Sequence, residues 1–214
     1  MESIVTFTLP EVNYKCSLNL RGRKRYGTLK QLLDTGMCMP STVGMPDGSN
    51  NELPDFRKSY KYISTIDFDL DPELVKIHLK KLVPENDEVS WKKIQKYDII
   101  QYLSGGFFKE HTDKQIKKTH YGTLLIFPPA IDTLKHTGGE LIIDKGRFIF
   151  NSSTNTEWTF IAFHTNLPHE CKEVLTGTRI VFKTELYSIK TILREYYTHQ
   201  ICDRSISRAH TYED

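Results

Sequence analysis

Cysteine is scarce in this chain, and the four that occur (Cys16, Cys38, Cys171, Cys202) fall at no paired spacing. A disulfide framework is therefore excluded as the source of stability, and the expected compartment is a reducing one, cytosol or nucleus. No CxxC or HxxH pair is present, so a structural zinc site would lack its usual ligand spacing. Apolar runs stay short: none approaches the ~20 residues a helix needs to cross a bilayer, and the first residues carry no apolar leader pattern. Charge of one sign is not in excess either. Lys and Arg number 29 against 27 Asp and Glu, a net charge of +2, which gives no general pull toward nucleic acid or membrane. Internal repeats are absent, and no clear boundary divides the chain. Its 214 residues read as one soluble domain with room for a sizeable core.

What is present is a succession of short strand patterns. Tyr97–Tyr102, Thr123–Phe127, Gly138–Ile143, Trp158–Phe163 and Arg179–Tyr187 are apolar or alternating runs separated by Gly-rich or polar turns. Such a series suggests a jelly roll or barrel. Upstream, Ser3–Thr8 and Val12–Leu18 alternate like two strands, joined through Leu9-Pro10-Glu11 as a hairpin. Thr28–Leu33 reads as a short helix, and Asp71–Leu82 as a capped amphipathic helix with Pro72 in its first turn. Ser90-Trp91 is expected to open another helix and 188–199 to form a last one, followed by a polar tail over 203–214. Met37–Pro54, rich in Gly, Pro, Ser and Asn, reads as a loop. The fold class expected is mainly β with flanking helices.

The chemistry-bearing pattern is His111-Thr-Asp113, followed by His169 and, ten residues later, Arg179. On a strand or its frayed end, residues i and i+2 share a face, so His111 and Asp113 can grip one ion. His169 would arrive from a second strand. Two histidines and one carboxylate are the ligand set of a mononuclear non-haem Fe(II) site, with three positions left for co-substrate and O2. Arg179 can pair a carboxylate with its two-pronged guanidinium. Iron with such a clamp suggests a 2-oxoglutarate-dependent oxygenase. An HxD alone is a weak signal that chance produces often, and Arg179 taken alone could open an edge strand at the surface, but His169 at the expected distance favours the functional role. His164 is the alternative third ligand, but it ends an apolar strand and has no arginine ten residues on. His120 and His136 read as loop or rim residues. Trp158 and Phe163 read as core, and Tyr102 as either core or co-substrate contact.

The stretch from Tyr97 to Tyr187 resembles the catalytic core of prolyl-4-hydroxylase-like Fe(II)/2-oxoglutarate dioxygenases, closest to a poorly characterised branch of microbes, fungi and large viruses. The resemblance lies in Tyr102–Asp113, Gly122–Phe127, His136–Leu141, Phe163 through His169-Glu170, and Thr176–Arg179. Pro54–Ser59 resembles a segment that precedes the core in that branch. The resemblance implies a double-stranded β-helix (jelly-roll) core over 97–187, N-terminal strands and supporting helices of the same domain over 1–96, and a C-terminal helix and tail over 188–214. It implies that His111, Asp113 and His169 bind iron and that Arg179 pairs with the distal carboxylate of 2-oxoglutarate. Tyr102 and Thr123 match positions lining the co-substrate pocket. Phe127 stands where many relatives carry a tyrosine that touches the same carboxylate, so the clamp would depend more on Arg179 and Thr123. Cys171 replaces a usual valine and packs as a small hydrophobe.

The implied reaction is oxidative decarboxylation of 2-oxoglutarate with O2, giving succinate, CO2 and a hydroxylated substrate, with ascorbate as a candidate reductant. The implied partner is a peptide or protein, prolyl first among side chains. A nucleic-acid demethylase is the second reading, but Glu185 stands where that branch carries a second arginine. A catalytically inert binding module is the third. Specificity is expected to lie in 37–54, 114–120 and 144–157. The basic run Arg21–Arg25 reads as a solvated turn rather than a nucleic-acid patch. Lys114, Lys117 and Lys118 follow the HxD motif and are placed to select an acidic substrate or simply to aid solubility.

Overall fold

The two most apolar stretches, 123–127 and 158–163, become neighbouring central strands because both of their faces are covered. The structure, a computed structural model, describes residues 2–20, 23–35, 37–45, 47–63, 65–85, 87–90, 97–115 and 119–189, leaving aside the side chains of 18–20, 23–25, 35 and 65. The helix expected to open at Ser90-Trp91, the closing helix after residue 189, the polar tail, the side chains of the Arg21–Arg25 run, Lys117, Lys118 and Cys202 lie outside the described residues.

In chain order the N-terminal strands are β1 (Ile4–Leu9), β2 (Asn13–Leu20), β3 (Arg23–Gly27), β4 (Cys38–Pro40), β5 (Val43–Gly44) and β6 (Asn50–Asn51). Then come β7 (Arg57–Lys58), β8 (Tyr60–Tyr62), β9 (Thr65–Asp69), β10 (Asp98–Leu103), β11 (Phe107–His111) and β12 (His120–Phe127). The last are β13 (His136–Gly138), β14 (Leu141–Ile143), β15 (Phe148–Phe150), β16 (Trp158–His164), β17 (His169–Cys171) and β18 (Val174–Tyr187). Helix α1 covers Leu29–Thr35 and α2 covers Pro72–Leu79, the latter capped by Asp71, whose side chain accepts from the Glu73 amide.

Every strand pairing is antiparallel. An eight-stranded sheet runs β1-β16-β12-β18-β10-β8-β4, with β13 added at the start of β18, and a five-stranded sheet runs β15-β14-β17-β11-β7. Period-two alternation divides the central strands of the large sheet between two cores. Leu124, Ile126, Phe160, Ala162, Ile180 and Phe182 face one core, together with Leu32 of α1 and Val75 and Leu79 of α2. Leu125, Phe127, Ile161, Phe163 and Val181 face the other, where Leu141, Ile143 and Cys171 of the small sheet meet them. This double coverage is why those runs lack the polar alternation of a half-exposed strand. The molecule is thus mainly β, with a large antiparallel sheet and a smaller one against it.

Two local expectations are corrected. Strands β1 and β2 both form but are not a hairpin: β1 pairs with β16, while β2 pairs with β3 and β9. Pro10 removes a donor in the connection, and burial of Val5 and Phe7 against the large sheet outweighs local pairing. The stretch from Met37 to Pro54 is not all loop, since it holds β4 on the large-sheet edge and the small ladder β5-β6.

Candidate metal centre

His111 ends β11 and His169 begins β17, and the two stand directly opposite each other across that strand pair. Their ring centroids are 4.2 Å apart. Each ring is oriented from behind by a carbonyl two residues earlier: His111 Nδ1 lies 2.8 Å from Lys109 O, and His169 Nδ1 lies 3.0 Å from Leu167 O. A carbonyl only accepts, so both Nδ1 atoms carry the proton and both Nε2 atoms present a lone pair. Asp113 lies two residues past the strand end, where its amide donates to Thr165 O at 3.1 Å. One ligand atom each from His111, Asp113 and His169 fall within 4.8 Å of one another.

The electrostatics suit a cation. Burial, reinforced by the neighbouring His169, pushes His111 down to about 3, and burial likewise lowers His169. Both rings are therefore neutral, as metal ligation requires. Burial alone would raise the Asp113 carboxyl, but Lys183, His169 and hydrogen bonds from Lys183 and Thr123 outweigh it and hold the group well below the usual carboxylate range. Asp113 Oδ1 accepts from Lys183 Nζ at 2.6 Å, and Oδ2 accepts from the Thr123 hydroxyl. The donor set of two neutral imidazoles and one carboxylate fits Fe(II) with open positions.

The two imidazoles face a cavity of about 180 Å³ between the two sheets, also lined by Tyr102, Thr123 and Arg179. Arg179 is only 2% exposed. Its guanidinium carbon sits 5.1 Å from the ring centres of both Tyr102, its cross-strand partner, and Phe127. Its hydrogen bond among the described residues runs from Nε to Ser152 Oγ at 3.2 Å. No carboxylate among the described residues lies within ion-pair distance of it. A buried guanidinium without a counter-charge is costly, and its two-pronged donor face has the chemistry to take an anion.

Five of the six residues singled out in the sequence, His111, His169, Tyr102, Thr123 and Arg179, thus border one cavity, and Asp113 joins them through the ligand group and the Thr123 hydroxyl, which is spent on it. Ser152 takes the supporting part beside Arg179, and sequence reading missed it. His136 Nδ1 donates to Leu134 O at 2.9 Å, so its Nε2, 3.0 Å from Ser152 Oγ, accepts the serine proton. The serine oxygen is then left to accept from Arg179, and the three side chains hold one direction of donation. His120 and His136 are not rim residues as expected. They are 2% and 9% exposed, in β12 and β13, and burial lowers both. His164, at the end of β16, is not in the metal-ligand group found among the described residues. Lys183 was also missed, although it follows Arg179 at an even spacing on one strand face, which was the available signal.

No family model matches the chain, and no curated protein matches it. Among solved structures, it is similar to an oxidoreductase of the 2OG-Fe(II) oxygenase family from Burkholderia pseudomallei, with 17% identity over 74% of this chain and 76% of that one, at a TM-score of 0.48. It is also similar to a prolyl hydroxylase from Trichoplax adhaerens, solved in complex with a hypoxia inducible factor oxygen degradation domain peptide. There the identity is 14% over 81% of this chain and 83% of that one, with a TM-score of 0.48. A Pseudomonas putida prolyl-4-hydroxylase shows 11% identity over 69% and 77% of the two chains, with a TM-score of 0.43. The structural neighbours of this chain are 2OG-Fe(II) oxygenases and prolyl hydroxylases.

Proposed function

We propose that this protein is an Fe(II)- and 2-oxoglutarate-dependent dioxygenase on a double-stranded β-helix (jelly-roll) core, hydroxylating a side chain of a peptide or protein, prolyl in the first instance. One observation carries the reading. Two oriented imidazoles and a carboxylate converge beside a cavity that also holds an arginine with no carboxylate partner among the described residues. A metal site and an anion site in one small space match a co-substrate that chelates at one end and is charged at the other.

In this reading His111 and His169 offer Nε2 and Asp113 offers a carboxylate oxygen to the ion. Bound iron with 2-oxoglutarate would supply oxidative decarboxylation coupled to oxygen insertion into a C–H bond, with release of succinate and CO2. The carbonyls of Lys109 and Leu167 keep the imidazoles in the ligating tautomer. Arg179 pairs with the distal carboxylate, steadied by Ser152 and flanked by the Tyr102 and Phe127 rings. Because those rings exclude water, the arginine binds its anion at low dielectric, where the pairing is strongest. Ascorbate would serve as reductant, and an exposed free thiol at Cys38 suits a cytosolic or nuclear setting.

The test is succinate formation from 2-oxoglutarate under air with added Fe(II), alongside Mn(II) and 2-oxoglutarate binding by calorimetry. Wild type should show iron-dependent turnover or, without its prime substrate, metal-dependent 2-oxoglutarate binding. His169→Ala should lose metal binding, and Arg179→Ala should weaken 2-oxoglutarate binding ~100-fold while keeping the metal, the scale of a buried charged hydrogen-bonding partner. Wild-type protein that binds neither metal nor co-substrate would end the oxygenase reading.

A further inference from the structure

The cavity holds a second guanidinium. Arg57 lies in β7, in register with Phe108 of β11, and lines the same cavity as His111 and His169. Three contacts hold it: Nε donates to Ser59 Oγ at 2.9 Å, Nη1 donates to Thr42 O at 3.0 Å, and its carbon stands 4.4 Å over the Phe108 ring. Phe108 in turn stacks on His111, with centroids 3.6 Å apart and planes at 23°. Two groups cannot share one ring face at such distances, so Arg57 and His111 occupy opposite faces of Phe108. Arg57 is therefore separated from a candidate metal ligand by the Phe108 ring.

The cations of the cavity fall into two kinds. Lys61 is neutralised by Asp98 at 2.7 Å and Lys183 by Asp113 at 2.6 Å. Arg179 and Arg57 have no carboxylate within ion-pair distance among the described residues. Arg179 is deep, while Arg57 is half-buried. The bonds that hold Arg57 use Nε and Nη1, and the Nη2 donors make none among the described residues. A guanidinium fixed on one side with donors left on the other matches a planar acid.

We infer that Arg57 is a substrate-recognition residue that binds a carboxylate of the peptide beside the carbon to be oxidised. What becomes of the bound peptide rests on the oxygenase reading, but the anion subsite does not. A peptide carboxylate can come from an acidic side chain or from the chain's C-terminus. Either would reach Arg57 from the more open side of the cavity while Arg179 serves the co-substrate, and would tie the peptide down across the Phe108 ring from His111.

Short fluorescent peptide pools, degenerate over uncharged residues, test this. One pool holds a single Glu, one holds Gln in its place, both with C-terminal amides, and a third holds Gln with a free C-terminal acid. Binding to the Mn(II)- and 2-oxoglutarate-supplemented protein is followed by anisotropy. Wild type should bind one of the two acid pools roughly tenfold more tightly than the Gln amide, as a charge-assisted hydrogen bond in a half-buried site allows, and the pool preferred names the source. Arg57→Gln should erase the ratio, and Arg57→Lys should keep part of it. Arg57→Gln should keep the wild-type affinity for the Gln amide pool, which shows that it is folded, so that loss of the ratio there reports the lost charge. Equal or absent binding of the pools by wild type, or a preference that survives Arg57→Gln, overturns the inference. Calorimetric binding of 2-oxoglutarate with Mn(II) in the same samples reports separately on the oxygenase reading. Its absence beside an intact, Arg57-dependent preference would sink that reading and leave the subsite standing.

Discussion

Asp113 lies just past the end of β11, yet its side chain reaches the opposite sheet, where Lys183 of β18 and Thr123 of β12 donate to its two oxygens. The pair orients the carboxylate, but Lys183 also sets a positive charge beside a candidate cation site. Two effects therefore oppose each other. A charge-assisted hydrogen bond contributes ~1.5–3 kcal/mol to holding the geometry. Two unit charges at ~4 Å repel by ~4 kcal/mol at an effective dielectric of about 20, and a divalent ion doubles that. Repulsion wins, and Thr123 remains to orient Asp113. Lys183→Met should accordingly bind Mn(II) more tightly than wild type, by about tenfold or more in calorimetry. Weaker binding would mean that orientation by Lys183 is the dominant contribution.

At the scale of elements, β18 organises the site. Its residues Arg179, Val181, Lys183 and Glu185 alternate onto the cavity face, while Ile180 and Phe182 enter the other core. The strand can place Arg179 only because the turn before β14 leaves it space. Gly139 has φ +75°, and a Cβ there would stand 2.8 Å from Val174 Cγ2 and 2.9 Å from Arg179 Cδ. Both distances are closer than real Cβ contacts, and the left-handed backbone adds ~1–2 kcal/mol for a non-glycine residue. Gly139→Ala should thus displace the arginine stem without touching the metal ligands. The expected result is 2-oxoglutarate binding weakened by ~tenfold, about the value of one charged hydrogen bond, with Mn(II) affinity kept. Calorimetry on the two ligands separates these, and loss of metal binding instead would show that the turn supports the whole site.

The molecule as a whole should be acid-sensitive for a reason distributed over several elements. His111, His120, His136 and His169 all have folded-state pKa values pushed below the ordinary 6.5, by burial first in each case. Between those values and 6.5 the unfolded chain binds more protons than the folded one, so stability falls as pH drops below about 6.5. For His111 the loss continues until about 3. Each histidine kept neutral while its unfolded form is charged contributes a slope of ~1.4 kcal/mol per pH unit. Asp113, whose pKa is depressed, works on a lower window: its stabilisation is present above its unfolded value of about 3.9 and is lost as pH falls toward the folded one. Urea midpoints of the metal-free protein should therefore decline from pH 7 to pH 5, before the carboxylates titrate. His136→Gln should make that decline shallower, and an unchanged slope would remove His136 from the account.

Much of this was readable along the chain. Period-two alternation and apolar runs locate the strands of the core because side-chain direction follows from backbone geometry alone. The cap at Asp71 with Pro72 behind it locates α2 for a similarly local reason. His111-Thr-Asp113 announces a shared face by its spacing, and even Lys183 was within reach of the same rule applied from Arg179. What the chain order could not decide is who faces whom. That β1 joins β16 rather than β2, that His111 stands opposite His169, and that Ser152 bridges His136 to Arg179 are outcomes of burial summed over distant segments. So is the meeting of Arg57 with Phe108, brought together by a two-residue strand whose local sequence favours no particular partner. Local geometry depends on neighbours in sequence and is written there. The counter-charges, missing partners and shared cavity that give the site its chemistry depend on neighbours in space, and only the packed sheets decided those.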